Sequence, residues 1–185
     1  MSVCTFIAAD ICLSEIKNPH YKMLSINEAL DMGLEIDQSL LDGEIDKNAP
    51  DVILWSDFEL FIDNKKVFDG NAADNFALLT MNDTLQYCDK LFGVYIEWHY
   101  FTEERAKAII DYIRNFLTQT ECIEIWNVWL SDYDPPKNKI TTVNIKDLQP
   151  YHIKQIYEYN PWDNESIADT YGYDTPIHHC LRIVV

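Results

Sequence analysis

Thr102-Glu103-Glu104-Arg105-Ala106-Lys107-Ala108-Ile109-Ile110-Asp111-Tyr112-Ile113-Arg114-Asn115-Phe116-Leu117 is the stretch that decides the fold class. Its apolar residues Ala106, Ile109, Ile110, Ile113, Phe116 and Leu117 recur at steps of three or one. At 3.6 residues per turn that spacing gathers them onto one helical stripe facing a sheet. Thr102 suits the N-cap, where its hydroxyl accepts an orphan amide, and Glu103 and Glu104 suit the positive end of the helix.

Candidate strands flank this helix. Gly93-Val94-Tyr95-Ile96-Glu97-Trp98-His99 precedes it. Cys122 to Leu130 follows it, with Ile123, Ile125, Trp126, Val128 and Trp129 apolar on both faces, the pattern of a central strand covered at least in part on two sides. Asp132 to Lys139, with Pro135-Pro136, forms a turn to an edge-like strand Ile140 to Ile145. Pro150 at a first helical position, with Leu148 and Ile153 set for a hydrophobic staple, starts a second helix turning Ile153, Ile156 and Tyr157 inward. Asn160 to His178 reads as a long acidic, aromatic loop, and Cys180 to Val185 as a terminal strand. Residues 91–185 thus read strand, helix, strand, strand, helix, strand, the order of a ferredoxin-like sandwich, although order alone does not fix strand pairing.

The first 90 residues are less regular. Val3 to Ala9 reads as a strand, and Ser25-Ile26-Asn27-Glu28 is a capping box for a short helix over Ile26 to Met32, stopped by Gly33. Asp37 to Asp57 loses its period apart from Val52-Ile53-Leu54-Trp55. Phe58 to Ile62, the turn Asp63-Asn64-Lys65-Lys66 and Val67-Phe68 form a hairpin, and Phe76 to Met81 is apolar without a period that decides its type. The expected architecture is one α+β domain over 1–185, a mainly antiparallel sheet with two principal helices. Its N-terminal half, residues 1–90, is elaborated and holds an acidic segment at 23–63.

Composition bounds the rest. With 48% hydrophobic residues, eight Phe, eleven Tyr and five Trp, the chain can fill a core and is not disordered. It lacks a basic n-region and any run of 18 apolar residues, so no signal peptide or membrane span is expected. Five cysteines, an odd number without a C-x-x-C, argue for reduced thiols and a cytoplasmic location.

Net charge is −17, unevenly placed: Met23 to Asp63 carries eleven carboxylates against the single Lys47, leaving −7 for the other 144 residues. Such a surface repels nucleic acid and anionic membranes and favours basic proteins or cations. A calcium loop is excluded, because with Gly43 at its sixth position the first and third ligands would be Gln38 and Leu40. Glu97, His99 and Tyr100 could form an acid/base cluster, but a strand end satisfying its own polar groups explains them more simply. His178 and His179 are strand neighbours that point to opposite faces and do not readily share a metal. Trp126 and Trp129 read as core anchors. Trp55 and Trp162 sit in acidic, turn-rich sequence and are the candidate apolar anchors for a basic partner, against the competing reading of burial under loops. No P-loop, dinucleotide fingerprint, nucleophile elbow or H-E-x-x-H is present.

The opening Met1-Ser2-Val3-Cys4-Thr5-Phe6-Ile7-Ala8, then Gly93 to Trp98, Ala108 to Asn115, Glu124 to Leu130, and Val67-Phe68-Asp69-Gly70 with Asp74-Asn75-Phe76 together resemble a family of small uncharacterised bacterial cytosolic proteins. The resemblance covers most of the chain except residues 13–55. Members are sometimes labelled magnesium transporters, a role that a chain without a transmembrane run does not support. The family supplies no catalytic residues to carry over. In general character the chain is also similar to immunity proteins that neutralise bacterial toxins.

The function expected from these readings is an acidic protein-binding module, an immunity or inhibitor protein that occupies the basic groove of a cognate toxin such as a nuclease. Its carriers would be Asp37, Asp42, Glu44, Asp46, Asp51, Asp57 and Glu59, with Trp55 and Trp162 as anchors, and no cofactor or metal. The alternatives are a small enzyme or metal-dependent protein using carboxylates near Glu97 and His99, and a structural or regulatory protein whose acidity keeps it soluble.

Overall fold

Val3–Ala9 (β1) forms a strand at the middle of the main sheet because its residues alternate between two buried faces, Phe6 and Ala8 on one and Ile7 and Ala9 on the other. The computed structural model describes residues 3–56, 61–62, 65–66, 72–98, 100–130, 137–162 and 176–185. Most of the hairpin expected at 58–68, of the turn at 132–139 and of the loop at 160–178 lies outside the described residues. The remaining elements follow in order as Tyr21–Leu24 (β2), Ile26–Asp31 (α1), Gln38–Asp42 (α2), Ile53–Ser56 (β3), Phe61–Ile62 (β4), Lys65–Lys66 (β5) and Ala77–Met81 (β6). Then come a 3-10 turn Thr84–Gln86, Phe92–Glu97 (β7), Glu103–Phe116 (α3), Cys122–Trp129 (β8), Lys137–Asn144 (β9), Pro150–Tyr157 (α4) and Ile177–Val184 (β10). They divide into two compact units, 1–17 with 76–185, and 18–75.

The larger unit is an α+β sandwich on a six-stranded sheet ordered β6-β7-β1-β8-β10-β9. Every pairing is antiparallel except β10 with β9, which is parallel. Since β7 and β8 both run against β1, they are parallel to each other with β1 between them and α3 joining them, a split βαβ unit. β9, α4 and β10 make a second βαβ unit with adjacent strands. The chain order strand, helix, strand, strand, helix, strand is therefore present, but β8 and β9 do not pair as a hairpin. The reason lies in burial. Both edges of β8 are taken by β1 and β10, whose residues are buried on both faces, while β9 exposes Asn138, Lys139, Thr141 and Thr142 and suits a sheet edge.

One face of this sheet carries the main core. Ile7, Ile125 and Leu181 stand opposite one another across β1, β8 and β10, joined by Ile123, Ile183, Val94, Ile96 and Leu78. The stripe Ala106, Ile109, Ile110 and Ile113 of α3 and Ile153 and Ile156 of α4 lie over them, each buried isoleucine contributing roughly 2–3 kcal/mol. Thr102 caps α3 as expected, accepting from the Arg105 amide at 3.2 Å. Phe116 is only half-buried, whereas Arg105 and Tyr112, both off the apolar pattern, are buried. Arg105 donates from Nη1 to the Tyr100 carbonyl at 2.9 Å, and the Tyr112 hydroxyl donates to the Ser14 carbonyl at 2.9 Å. Pro150 opens α4, with Leu148 and Ile153 buried in the same core.

The opposite face holds a smaller cluster of Phe6, Ala8, Trp126, Val128 and Cys180, covered in part by Tyr87 and Cys88. Gly93 on β7 lets the 84–88 segment approach, since a Cβ there would lie 2.6 Å from Thr84 Oγ1. Phe76 to Met81, of undecided type by pattern, contributes the edge strand β6.

Unit 18–75 is built from short elements. β2 pairs antiparallel with β3, Leu24 opposite Ile53, and β4 pairs antiparallel with β5. The Ser25–Glu28 capping box forms in full, at 3.2 and 2.7 Å. Gly33 at φ 75 ends α1 with the paired bonds Gly33 N to Leu30 O and Leu34 N to Ala29 O of a Schellman motif. The period-free stretch contains the single-turn helix α2, capped by the Asp37 carboxylate.

Candidate functional site

The acidic residues fall where water reaches them. Glu28, Asp31, Glu35, Asp37, Asp42, Glu44, Asp46 and Asp51 are all exposed, and none forms an ion pair with a lysine or arginine among the described residues. Several instead organise the local backbone. Asp37 accepts from the Ser39 amide and hydroxyl at 2.8 and 2.6 Å, which holds its carboxyl below the usual range. Asp42 accepts from Gln38, and Asp46 from the Asn48 amide at 2.9 Å. Asp51 takes the left-handed region at φ 63, which aspartate tolerates better than most residues, and turns the chain into β3. Hydrogen bonds from the Asn27 amide to the Lys47 carbonyl and between the Asn27 and Asn48 side chains tie the start of α1 to the 46–49 turn.

Trp55 lies half-buried on β3, and the Lys22 ammonium sits 5.5 Å from its ring centroid, so a cation of the chain itself already faces the indole. Trp162 belongs to the larger unit, where it meets Trp129 edge to face at 5.4 Å. Asp57, Glu59 and His99 lie outside the described residues; Glu97 is exposed at the end of β7. His178 and His179 do project to opposite faces: His178 packs on Tyr87, while His179 contacts Thr141 and Tyr159.

Within the larger unit the second sheet face opens into a cleft of about 940 Å³. Its walls are the 87–90 segment, the turn after α3, and the outward residues of β8, β9 and β10. At its base Glu124 is almost wholly buried. Its Oε2 accepts from Trp126 Nε1 and its Oε1 from Arg182 Nε, both at 2.9 Å. Arg182 stays partly exposed, and the pairing holds its guanidinium above its ordinary value. Lys90, also lining the cleft, is held by Asp10; burial works against its ammonium, and Asp10 outweighs it. Burial pushes the Cys88 thiol up to about 11 and raises Cys122, so both stay protonated at neutral pH and neither is a ready nucleophile.

Glu124 and Arg182 lie outside the site residues expected from the sequence. The signal was available: a carboxylate inside Ile123-Glu124-Ile125-Trp126 and a guanidinium inside Leu181-Arg182-Ile183, each in a strand otherwise apolar on both faces, call for a partner. Which partner depends on the β8–β10 register. No protein-family model, curated protein or solved structure matches the chain.

Proposed function

We propose that the protein is an acidic protein-binding module of the immunity or inhibitor type, whose 18–75 unit occupies the positive groove of a basic bacterial toxin such as a nuclease. The observation that carries this reading is the set of eight exposed carboxylates between Glu28 and Asp51, unneutralised by any lysine or arginine among the described residues. Carboxylates not neutralised by an internal lysine or arginine keep their field for an external cation. A nuclease groove must concentrate lysine and arginine to attract phosphates, so such a face competes for it and gains fast, salt-sensitive association. The capping box of α1, the Schellman stop at Gly33 and the turn at 46–49 hold the backbone beneath these acids in a defined shape, which lowers the ordering cost of binding.

The test is association of the full chain with any basic toxin found encoded beside its gene. The on-rate is expected to fall at least about tenfold between low and physiological salt. It should fall again in a variant carrying Asp42→Asn, Glu44→Gln, Asp46→Asn and Asp51→Asn. Binding indifferent to both changes would overturn the reading.

A further inference from the structure

We propose that the cleft above Glu124 and Arg182 is a binding site for a small amino-acid-like zwitterion with an apolar side chain, whose carboxylate is taken by the two terminal guanidinium nitrogens of Arg182. This site is independent of the reading of unit 18–75. The cleft, at about 940 Å³, lies in the size range of small-molecule pockets. Arg182 is fixed before any ligand arrives, since its Nε is held by Glu124 and Glu124 in turn by Trp126. Its Nη1 and Nη2 make no hydrogen bond among the described residues, which leaves the planar fork that matches a carboxylate in two-point fashion. A guanidinium already ordered by a neighbour loses little freedom on binding.

Charge decides the ligand class. Lys90 is neutralised by Asp10 and Arg182 by Glu124; both keep N–H donors, and of the two only Arg182 presents them as a planar fork. Asp89 and Glu121 line the same cleft, are exposed, and form no ion pair among the described residues. A phosphate dianion would be repelled by those two carboxylates, whereas an ammonium on the same ligand would be attracted. The complementary molecule therefore carries one negative and one positive group. Tyr87, Trp126 and Ile140 form the apolar wall, and Ile140 is 48% exposed there, leaving hydrocarbon surface for a ligand side chain.

The experiment is calorimetric titration of the full chain with L-phenylalanine and L-leucine, alongside 3-phenylpropanoate, 2-phenylethylamine and phenyl phosphate. The expected result is saturable binding of at least one amino acid, with phenylpropanoate and phenylethylamine weaker by about tenfold or more. Arg182→Lys, which keeps the charge and loses the fork, is expected to weaken amino-acid binding by about tenfold with the circular dichroism spectrum unchanged. Should that variant fail to fold, Asp89→Asn with Glu121→Gln decides, and is expected to abolish the preference for phenylalanine over phenylpropanoate. Absence of saturable binding by either amino acid, phenyl phosphate binding as tightly, or indifference to the folded Arg182→Lys variant or to the double variant would each overturn the assignment.

Discussion

Arg182 on β10 stands directly opposite Glu124 on β8 in the antiparallel register and donates its Nε–H to the carboxylate at 2.9 Å. The pair is lopsided, with the Glu124 side chain 4% exposed and that of Arg182 41%. Removing the two partners should therefore have unequal costs. Arg182→Ala leaves a buried carboxylate with Trp126 Nε1 as its remaining side-chain donor among the described residues, and a loss of about 3 kcal/mol is expected. Glu124→Gln keeps one acceptor but sets an amide N–H against the second donor, and should cost less, about 2 kcal/mol. Urea unfolding with an unchanged m-value checks the order; equal losses would contradict it.

His178 and His179 are both buried, and burial depresses each imidazole to about 4, Lys139 adding to the effect at His179 and the Trp129 backbone opposing it at His178. Unfolded, each takes up a proton near its ordinary value of 6.5. The unfolded state therefore binds more protons between those two values, so stability is fully present above about pH 6.5 and is lost as pH falls toward 4. For one histidine the span corresponds to at most roughly 3 kcal/mol. Thermal midpoints measured across that window should fall steeply with acid, and His178→Phe should flatten the curve.

Gly93 has no room for a methyl group. Its substitution by alanine would set a Cβ 2.6 Å from Thr84 Oγ1 and 3.3 Å from the Ile7 carbonyl. A loss of about 2–3 kcal/mol is expected from this overpacking. Because the nearer neighbour is a side chain, Thr84→Ala in the Gly93→Ala background should recover some of it, a coupling that a double-mutant cycle reads directly.

Gly33 is a different case, since a Cβ there meets nothing within 4 Å. The cost of Gly33→Ala is conformational alone, set by the positive φ at the end of α1, and should be about 1 kcal/mol. Ser25→Ala, which removes one arm of the capping box, should cost about the same. Hydrogen exchange is expected to localise both losses to the amides of α1.

Elements whose apolar residues keep one period over many positions were legible in the sequence. The α3 stripe, β1, β8 and the Pro150 start of α4 lie where the pattern puts them, and so do the Ser25 cap and the Gly33 stop, because capping chemistry is local. The short strands β2 and β3 and the single-turn α2 carry too few residues for a period to emerge. β6 hid in an apolar run whose type only its partner β7 decides. Strand pairing was the larger gap: nothing in Lys137–Asn144 says that it will join β10 in parallel, since that depends on β1 claiming the other side of β8. The acids of 28–51 were legible as a charge run, and their exposure follows from it. The cleft was not, because its decisive pair comes from residues 58 positions apart that meet only through sheet register.

The placement of β1 at the heart of the sheet sets the timetable of assembly. While the nascent chain leaves the ribosome, Val3–Ala9 waits without a hydrogen-bonding neighbour until Phe92–Glu97 and Cys122–Trp129 have been synthesised. Unit 18–75, whose β2 and β3 meet within a short span, can organise first. Closing such distant strands is slow, and an unpaired strand with Phe6 and Ile7 uncovered is prone to stray pairing in the interval. The side chains of Phe6 and Ile7 are thus exposed to wrong partners for as long as β7 and β8 are missing.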